Sequence, residues 1–156
     1  MSRNIKLVFS LSYVFLLIAA CDKSTIHKQE TKAEAIAEQF CLSYFSLHYA
    51  DAQPFCTEES EKWLRFAASN VHEEDLSALH SSDARVSVSV LEVSAREGDS
   101  IGSALVRVRN YLSLDRLDAP AQIVDEGVFR IGMVRRGGRW FVKMEGLPRS
   151  EKRNRD

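Results

Sequence analysis

The spacing of apolar residues changes along the chain, and this change constrains the fold more than any other feature of the sequence. In the first half, apolar residues recur at steps of three and four, which forms one stripe on a helix. The stripe of the first predicted helix comprises Ala33, Ile36, Ala37, Phe40, Tyr44 and Leu47. From Ala84 onward the step is two, because Val86, Val88 and Val90 alternate with serines. Helices followed by a run of strands predict an α+β domain, with N-terminal helices packed on a curved, four-stranded antiparallel sheet.

Capping signals predict where the helices begin. Thr31 and Glu34 have the spacing of a capping box, whose side chains satisfy free backbone N–H groups. We therefore expect the first helix to begin at Thr31 and to end near Ala50. A second helix is predicted from Thr57, and a third begins at Asn70, which we expect to cap it.

Two local signals predict the geometry of the strands. The apolar alternation slips by one residue at Leu91, as a β-bulge would produce. Gly137 and Gly138 predict a tight hairpin, because paired glycines allow the positive φ angles of a type I′ turn. The sheet is expected to end soon after this hairpin.

The N-terminal residues have the features of an export signal. Arg3 and Lys6 precede an uncharged apolar run over residues 7–20, which is shorter than the roughly 20 residues of a membrane-spanning helix. A transmembrane anchor is the alternative. The sequence thus divides into a signal peptide (1–20), a tether (21–30), a single α+β domain (31–147) and a charged tail (148–156).

The end of this run resembles the lipobox of bacterial lipoproteins. Residues 17–21 read Leu-Ile-Ala-Ala-Cys, with small residues directly before Cys21. The resemblance implies cleavage after Ala20 and acyl chains attached to Cys21, which would hold the protein at a membrane of the cell envelope. Asp22 resembles a retention signal of some bacteria, but the sequence does not fix which membrane is used. No cofactor other than this lipid is expected.

Charge and cysteine content narrow the function classes. The 21 basic residues, less Arg3 and Lys6 of the signal, leave 19 against 22 acidic residues. A net charge of −3 argues against a nucleic-acid partner, which favours a basic face. Cys41 and Cys56 would enter an oxidising compartment, where they either form a disulfide or remain two small buried apolar groups.

Part of the chain resembles the nuclear transport factor 2 superfamily. The similar parts are the Tyr44-Phe45 pair, the segment Asp51–Leu64 and the final hairpin, Gly-Gly-Arg-Trp-Phe-Val-Lys-Met from Gly137. The resemblance covers about residues 30–147 and implies the cystatin-like cone of small lipoprotein domains in that superfamily. That fold hosts isomerases, dehydratases and non-enzymatic binding modules, so it does not select a function.

The sequence contains one candidate catalytic group, Asp125. No histidine pair has the spacing of a helical metal site, so no metal is predicted. Asp125 shares strand parity with Phe129 and would be a buried acid if it pointed into the cone. Alternatively, it lies at a strand end or beside Arg107 or Arg109 on a neighbouring strand. The residues that would line such a pocket, or simply fill the core, are Phe40, Tyr44, Phe45, Trp63, Phe66, Asp125, Phe129 and Trp140.

These observations favour a non-enzymatic, lipid-anchored envelope protein that binds a partner protein. One alternative is a cone that binds or isomerises a small apolar molecule. Another is a subunit of a secretion or conjugation apparatus. The oligomeric state is not predicted.

Overall fold

A computed structural model describes residues 23–81, 85–94, 100–113 and 122–151. The helices are α1 (Lys23–Phe45), α2 (Tyr49–Ala52), α3 (Glu61–Ser69) and α4 (Glu73–Ser81), and short 3₁₀ turns at Gln53–Phe55 and Glu58–Ser60 join α2 to α3. The strands are β1 (Ser87–Ser94), β2 (Ile101–Ser113), β3 (Gln122–Arg136) and β4 (Arg139–Val142). The predicted signal peptide and Cys21 lie outside the described residues.

The four strands form one antiparallel meander in the order β1-β2-β3-β4. The chain is therefore an α+β protein with helices preceding the sheet, as predicted. Val90 pairs with Val106 and Glu92 with Leu105, so Leu91 is the extra residue of a β-bulge. This confirms the bulge that the phase slip predicted.

The hairpin between β3 and β4 also agrees with its sequence signal. Gly137 has a φ of 56° and Gly138 a φ of 79°, which are the two positive angles of a type I′ turn. Arg136 and Arg139 form the last pair of the ladder. The Arg136 guanidinium donates to the Glu59 carboxylate at 2.9 and 3.1 Å, which connects the hairpin to the helical layer.

The helix stripe packs against one face of the sheet. Ala33, Ala37, Phe40 and Cys41 on α1 are fully buried. The sheet residues of the same core are Ala104, Val106, Val108, Phe129, Ile131, Met133, Trp140 and Val142. Removing these apolar surfaces from water is the main force that holds the helix on the sheet. This is the arrangement that the resemblance to the nuclear transport factor 2 superfamily implies.

Two predicted helix starts are wrong. Helix α1 begins at Lys23, so Thr31 is an interior helical residue and residues 23–30 are helical instead of an irregular tether. Asn70 ends α3, and its Nδ2 donates to the carbonyl of Phe66 at 2.7 Å. The start of α4 is stabilised by Asp75, whose Oδ2 accepts the backbone N–H of His72 at 2.8 Å.

Hydrogen bonds join α3 to the end of β4. The N–H of Thr57 donates to the carbonyl of Val142 at 2.9 Å. The Ser60 hydroxyl, which is fully buried, accepts the N–H of Met144 at 2.8 Å. These bonds satisfy buried backbone groups at and just past the end of β4.

Within the described residues, no helix combines the length and the apolar character that crossing a bilayer requires.

Candidate functional site

Aromatic rings gather where the C-terminal end of α1 meets the ends of β2 and β3. The Phe45 ring centroid lies 4.5 Å from that of Phe129 and 5.3 Å from that of Tyr111. Tyr44 contacts Tyr49 of α2 at 5.3 Å between centroids, in an edge-to-face arrangement. Such ring pairs are rigid, because each ring restricts the rotamers of the next.

These rings line one side of an open cavity of about 480 Å³, here called the aromatic cavity. Its aromatic wall consists of Tyr44, Phe45, Tyr49, Trp63, Phe66, Tyr111 and Phe129, and the remaining lining residues are Leu47, Leu112, Ser113 and the segment 145–149. Phe66 is 48% exposed although it lines the cavity, so it lies at the mouth. A cavity of this size and character accepts an apolar or aromatic group.

The inward position of Tyr111 depends on an irregularity in β2. Asn110 has a φ of 55°, a left-handed conformation that Asn tolerates better than most residues. Tyr111 and Leu112 are both buried although they are consecutive, which a regular strand would not permit. The Tyr111 ring crosses over Gly127: a Cβ on Gly127 would lie 2.6 Å from the Tyr111 Oη.

The hydroxyls of Tyr44, Tyr49 and Tyr111 add polar groups to the aromatic wall of the cavity. Burial, and secondarily the charge of Asp75, raise the pKa of Tyr49 to about 12. Tyr49 therefore keeps its proton at neutral pH and serves as a hydrogen-bonding group rather than as a base. Asp75 lies nearby but is engaged in capping α4.

Most of the residues predicted for the pocket do line it. The structure brings five of them together in the aromatic cavity: Tyr44, Phe45, Trp63, Phe66 and Phe129. Trp140 is buried in the core and lines neither of the two cavities described here, and Phe40 lines the other one.

Asp125 is not in the pocket. The side chain is exposed, so the inward position is wrong, and Asp125 lies near the end of its strand, as the alternative expected. Its parity is that of Phe129, but it lies at the beginning of β3, where exposed neighbours such as Ile123 show that the core no longer covers the sheet. Tyr49 and Tyr111 line the cavity as well, and the sequence did not predict them. For Tyr111 the available signal was an asparagine within a strand, which often marks a positive φ.

The second cavity, of about 550 Å³, lies between β3 and the segment that follows β4. Its lining includes Phe40, Ile131 and Met144, and the charged residues Arg130, Lys143, Glu145, Arg149 and Glu151. Arg130 Nε lies 3.1 Å from Glu151, and Lys143 Nζ lies 2.8 Å from Glu145. Two of the three cations that line this cavity, Arg130 and Lys143, are thus already paired with carboxylates.

The sheet arginines are also paired. Arg107 and Arg109 on β2 both contact Glu126 of β3, at 3.3 and 2.9 Å. Both side chains are partly exposed, so these ion pairs contribute little stability. Glu126 therefore offsets part of the positive charge of these two arginines.

Cys41 and Cys56 are free thiols in the structure, and both are buried. Burial raises the pKa of Cys56 to about 12 and that of Cys41 further, and the neighbouring Cys56 contributes to the second shift. The Cys56 Sγ donates to the carbonyl of Ala52 at 3.6 Å. Neither thiol is a reactive nucleophile at neutral pH; their pairing as a disulfide stays a prediction. Among the residues that the structure places, no group of three or more potential metal ligands occurs.

Comparison with known proteins adds one finding. No protein-family model and no curated protein matches the chain. A solved structure described as an "Ntf2 like protein involved in plasmid conjugation" is similar to it, with 16% sequence identity and a TM-score of 0.32. The alignment covers 78% of this chain and 48% of that chain, so this chain spans about half of its length.

Proposed function

We propose that this chain is a lipid-anchored protein of the bacterial cell envelope, whose α+β domain is a non-enzymatic module that binds a partner protein. The observation that carries the proposal is the aromatic cavity, which is open and has Phe66 exposed at its mouth. Exposed aromatic groups beside a preformed pocket are typical of binding hot spots.

The lipobox-like residues 17–21 support the anchor. A diacylglyceryl group on the Cys21 thiol, together with an acylated amine, supplies several acyl chains. Each buried CH₂ adds about 0.8 kcal/mol, so several chains hold a domain stably where one does not.

The residues around the cavity favour binding over catalysis. An isomerase-like reaction needs a carboxylate with a raised pKa inside an apolar pocket. Asp125 is exposed, and Asp75 is occupied with the backbone of His72. The acid that does line the cavity, Glu145, is exposed and paired with Lys143.

Photo-crosslinking in intact cells tests this proposal. A photoreactive phenylalanine analogue at position 66 preserves the aromatic shape at the mouth of the cavity. A matched control carries the same analogue at Leu42, which is 39% exposed on α1 and lines neither cavity. We expect one defined protein adduct from position 66 and none from position 42. Identical adduct patterns from both positions, or no adduct from either, would contradict a partner site at the cavity.

The second candidate is a small apolar ligand in the same cavity, and its volume of about 480 Å³ favours it. Native mass spectrometry of protein purified from cells distinguishes the two candidates. A retained small molecule, lost when Tyr111 is replaced by Trp to fill the cavity, would support the ligand. Protein that retains no small molecule, together with a position-66 adduct, would support the partner protein.

A further inference from the structure

Strand β3 extends well beyond the part of it that β4 covers. β3 has 15 residues and β4 has four, which pair with Met133–Arg136. Just beyond these pairs, the N–H of Lys143 donates to the carbonyl of Gly132 at 2.9 Å, and Ser150 forms an isolated bridge with Phe129. Among the residues that the structure describes, the ladder partners of residues 122–128, here called the open edge of β3, all lie on β2.

The open edge lies at the surface. Gln122, Asp125 and Glu126 are exposed, and Ile123 is 38% exposed. The edge of a strand carries backbone N–H and C=O groups that can pair with another extended chain. The open edge contains neither proline nor lysine, which often block such pairing in other proteins. It can therefore accept an additional strand.

The open edge adjoins the aromatic cavity. Phe129, the next residue along β3, lines that cavity. Tyr111 of β2 lines it as well, and its ring crosses Gly127, so that the Tyr111 hydroxyl lies where a Gly127 side chain would be. Because β2 and the open edge are on opposite sides of β3, the tip of this ring points toward the open edge. A strand added there would place side chains on this face beside the Tyr111 ring.

The charges along the open edge favour a different protein over a second copy of this chain. Glu126 is engaged with Arg107 and Arg109, whereas Asp125 forms no ion pair with any residue that the structure describes. In two copies paired antiparallel over the whole open edge, Asp125 would lie opposite the same residue of the second copy, and like charges in that position are destabilising. A strand with a basic residue opposite Asp125 would instead be attracted.

We propose that the partner protein adds an extended strand to the open edge of β3, with a basic side chain opposite Asp125 and an apolar side chain against Tyr111 at the cavity. This proposal rests on the proposed binding of a partner protein and adds the mode of binding and the chemistry of the partner segment. In complexes of this kind, backbone hydrogen bonds along the edge supply affinity, and the alternate side chains supply specificity.

Photo-crosslinking at the two ends of the open edge tests for the added strand in intact cells. The photoreactive phenylalanine analogue replaces Gln122 in one variant and Val128 in another, and mass spectrometry of the digested adducts locates the crosslinked residues of the partner. These two positions are six residues apart on β3, or about 20 Å. We expect both adducts to fall on one partner segment, at sites about six residues apart, because a helix would need about 13 residues to span that distance.

Three results would overturn strand addition. They are adducts on different partner segments, adducts on one segment at the wider spacing of a helix, and no adduct from one or both ends when position 66 does give one. Absence of adducts from all three positions would refute the partner protein itself, and strand addition with it. The failure of this proposal is therefore distinguishable from the failure of the proposed function.

The role of Asp125 is tested with Asp125→Lys, and the matched control is Glu92→Lys on β1. Both carboxylates are exposed, so both variants should fold, which far-UV circular dichroism checks. We expect Asp125→Lys to lower the yield of the position-66 adduct about threefold or more, because repulsion replaces attraction at the open edge. Glu92→Lys should leave the yield unchanged. Equal yields from the two variants would overturn the basic side chain assigned to the partner strand.

Discussion

Cys41 and Cys56 are the buried titratable groups with the clearest consequence for stability. The pKa of Cys56 is raised from an ordinary value near 9 to about 12, mainly by burial, and that of Cys41 is raised further. Above pH 9 the unfolded chain loses protons that the folded chain retains. The free energy of unfolding is therefore unaffected by these thiols below about pH 9 and falls as pH rises from there toward 12.

We therefore predict that the free energy of unfolding of Cys56→Ala falls less steeply with rising pH than that of wild type. Each buried thiol steepens the alkaline decline by up to about 1.4 kcal/mol per pH unit. We expect urea unfolding between about pH 9 and pH 11 to show a smaller decline for Cys56→Ala than for wild type, because one such group is gone. Equal slopes, with no thiol detectable in unfolded wild type without a reductant, would mean that Cys41 and Cys56 form the predicted disulfide instead.

Residue by residue, the sequence predicted the cavity only in part. Tyr44, Trp63 and Phe129 were identifiable because they follow regular helix or strand periods. Asp125 was placed inward by counting parity, but parity does not show where the core stops covering a strand. Tyr111 was missed for the opposite reason, since the positive φ of Asn110 shifts the phase and turns it inward.

At the scale of elements, the Ser60 side chain connects the helical layer to the end of the sheet. Its buried hydroxyl accepts the N–H of Met144, which would otherwise be unpaired. We expect Ser60→Ala to lower the free energy of unfolding by about 1–3 kcal/mol, because a buried donor then loses its partner. Chemical denaturation measures this loss.

The matched control for that prediction is Ser69→Ala. Ser69 is exposed, and its hydroxyl donates to the carbonyl of Phe66 within the same helix, at 2.8 Å. Water replaces such a bond easily, so the change should stay within about 0.5 kcal/mol. Similar effects of the two substitutions would refute a special role for Ser60.

The bulge and the hairpin, which each require a particular backbone geometry, were the elements most predictable from the sequence. The bulge at Leu91 follows from a slip in side-chain alternation, and the hairpin follows from two glycines that allow a positive φ. The starts of α1 and α4 were not predictable from capping boxes alone. Thr31 has the required spacing, but residues 23–45 contain neither proline nor glycine, so nothing interrupts the helix before it.

For the whole molecule, the proposed account combines a lipid anchor and a binding cavity. Cys21 precedes α1 in the sequence, and the last residues of α1, Tyr44 and Phe45, line the aromatic cavity. The account makes the location of the domain depend on one side chain, because the acyl chains on Cys21 are its only proposed hold on the bilayer.

Metabolic labelling with a fatty-acid analogue tests that dependence directly, by comparing wild type with Cys21→Ser. We predict that wild type incorporates the label and remains with the membrane fraction, and that Cys21→Ser loses both. Equal labelling of the two proteins, or no label on wild type, would contradict the proposed anchor.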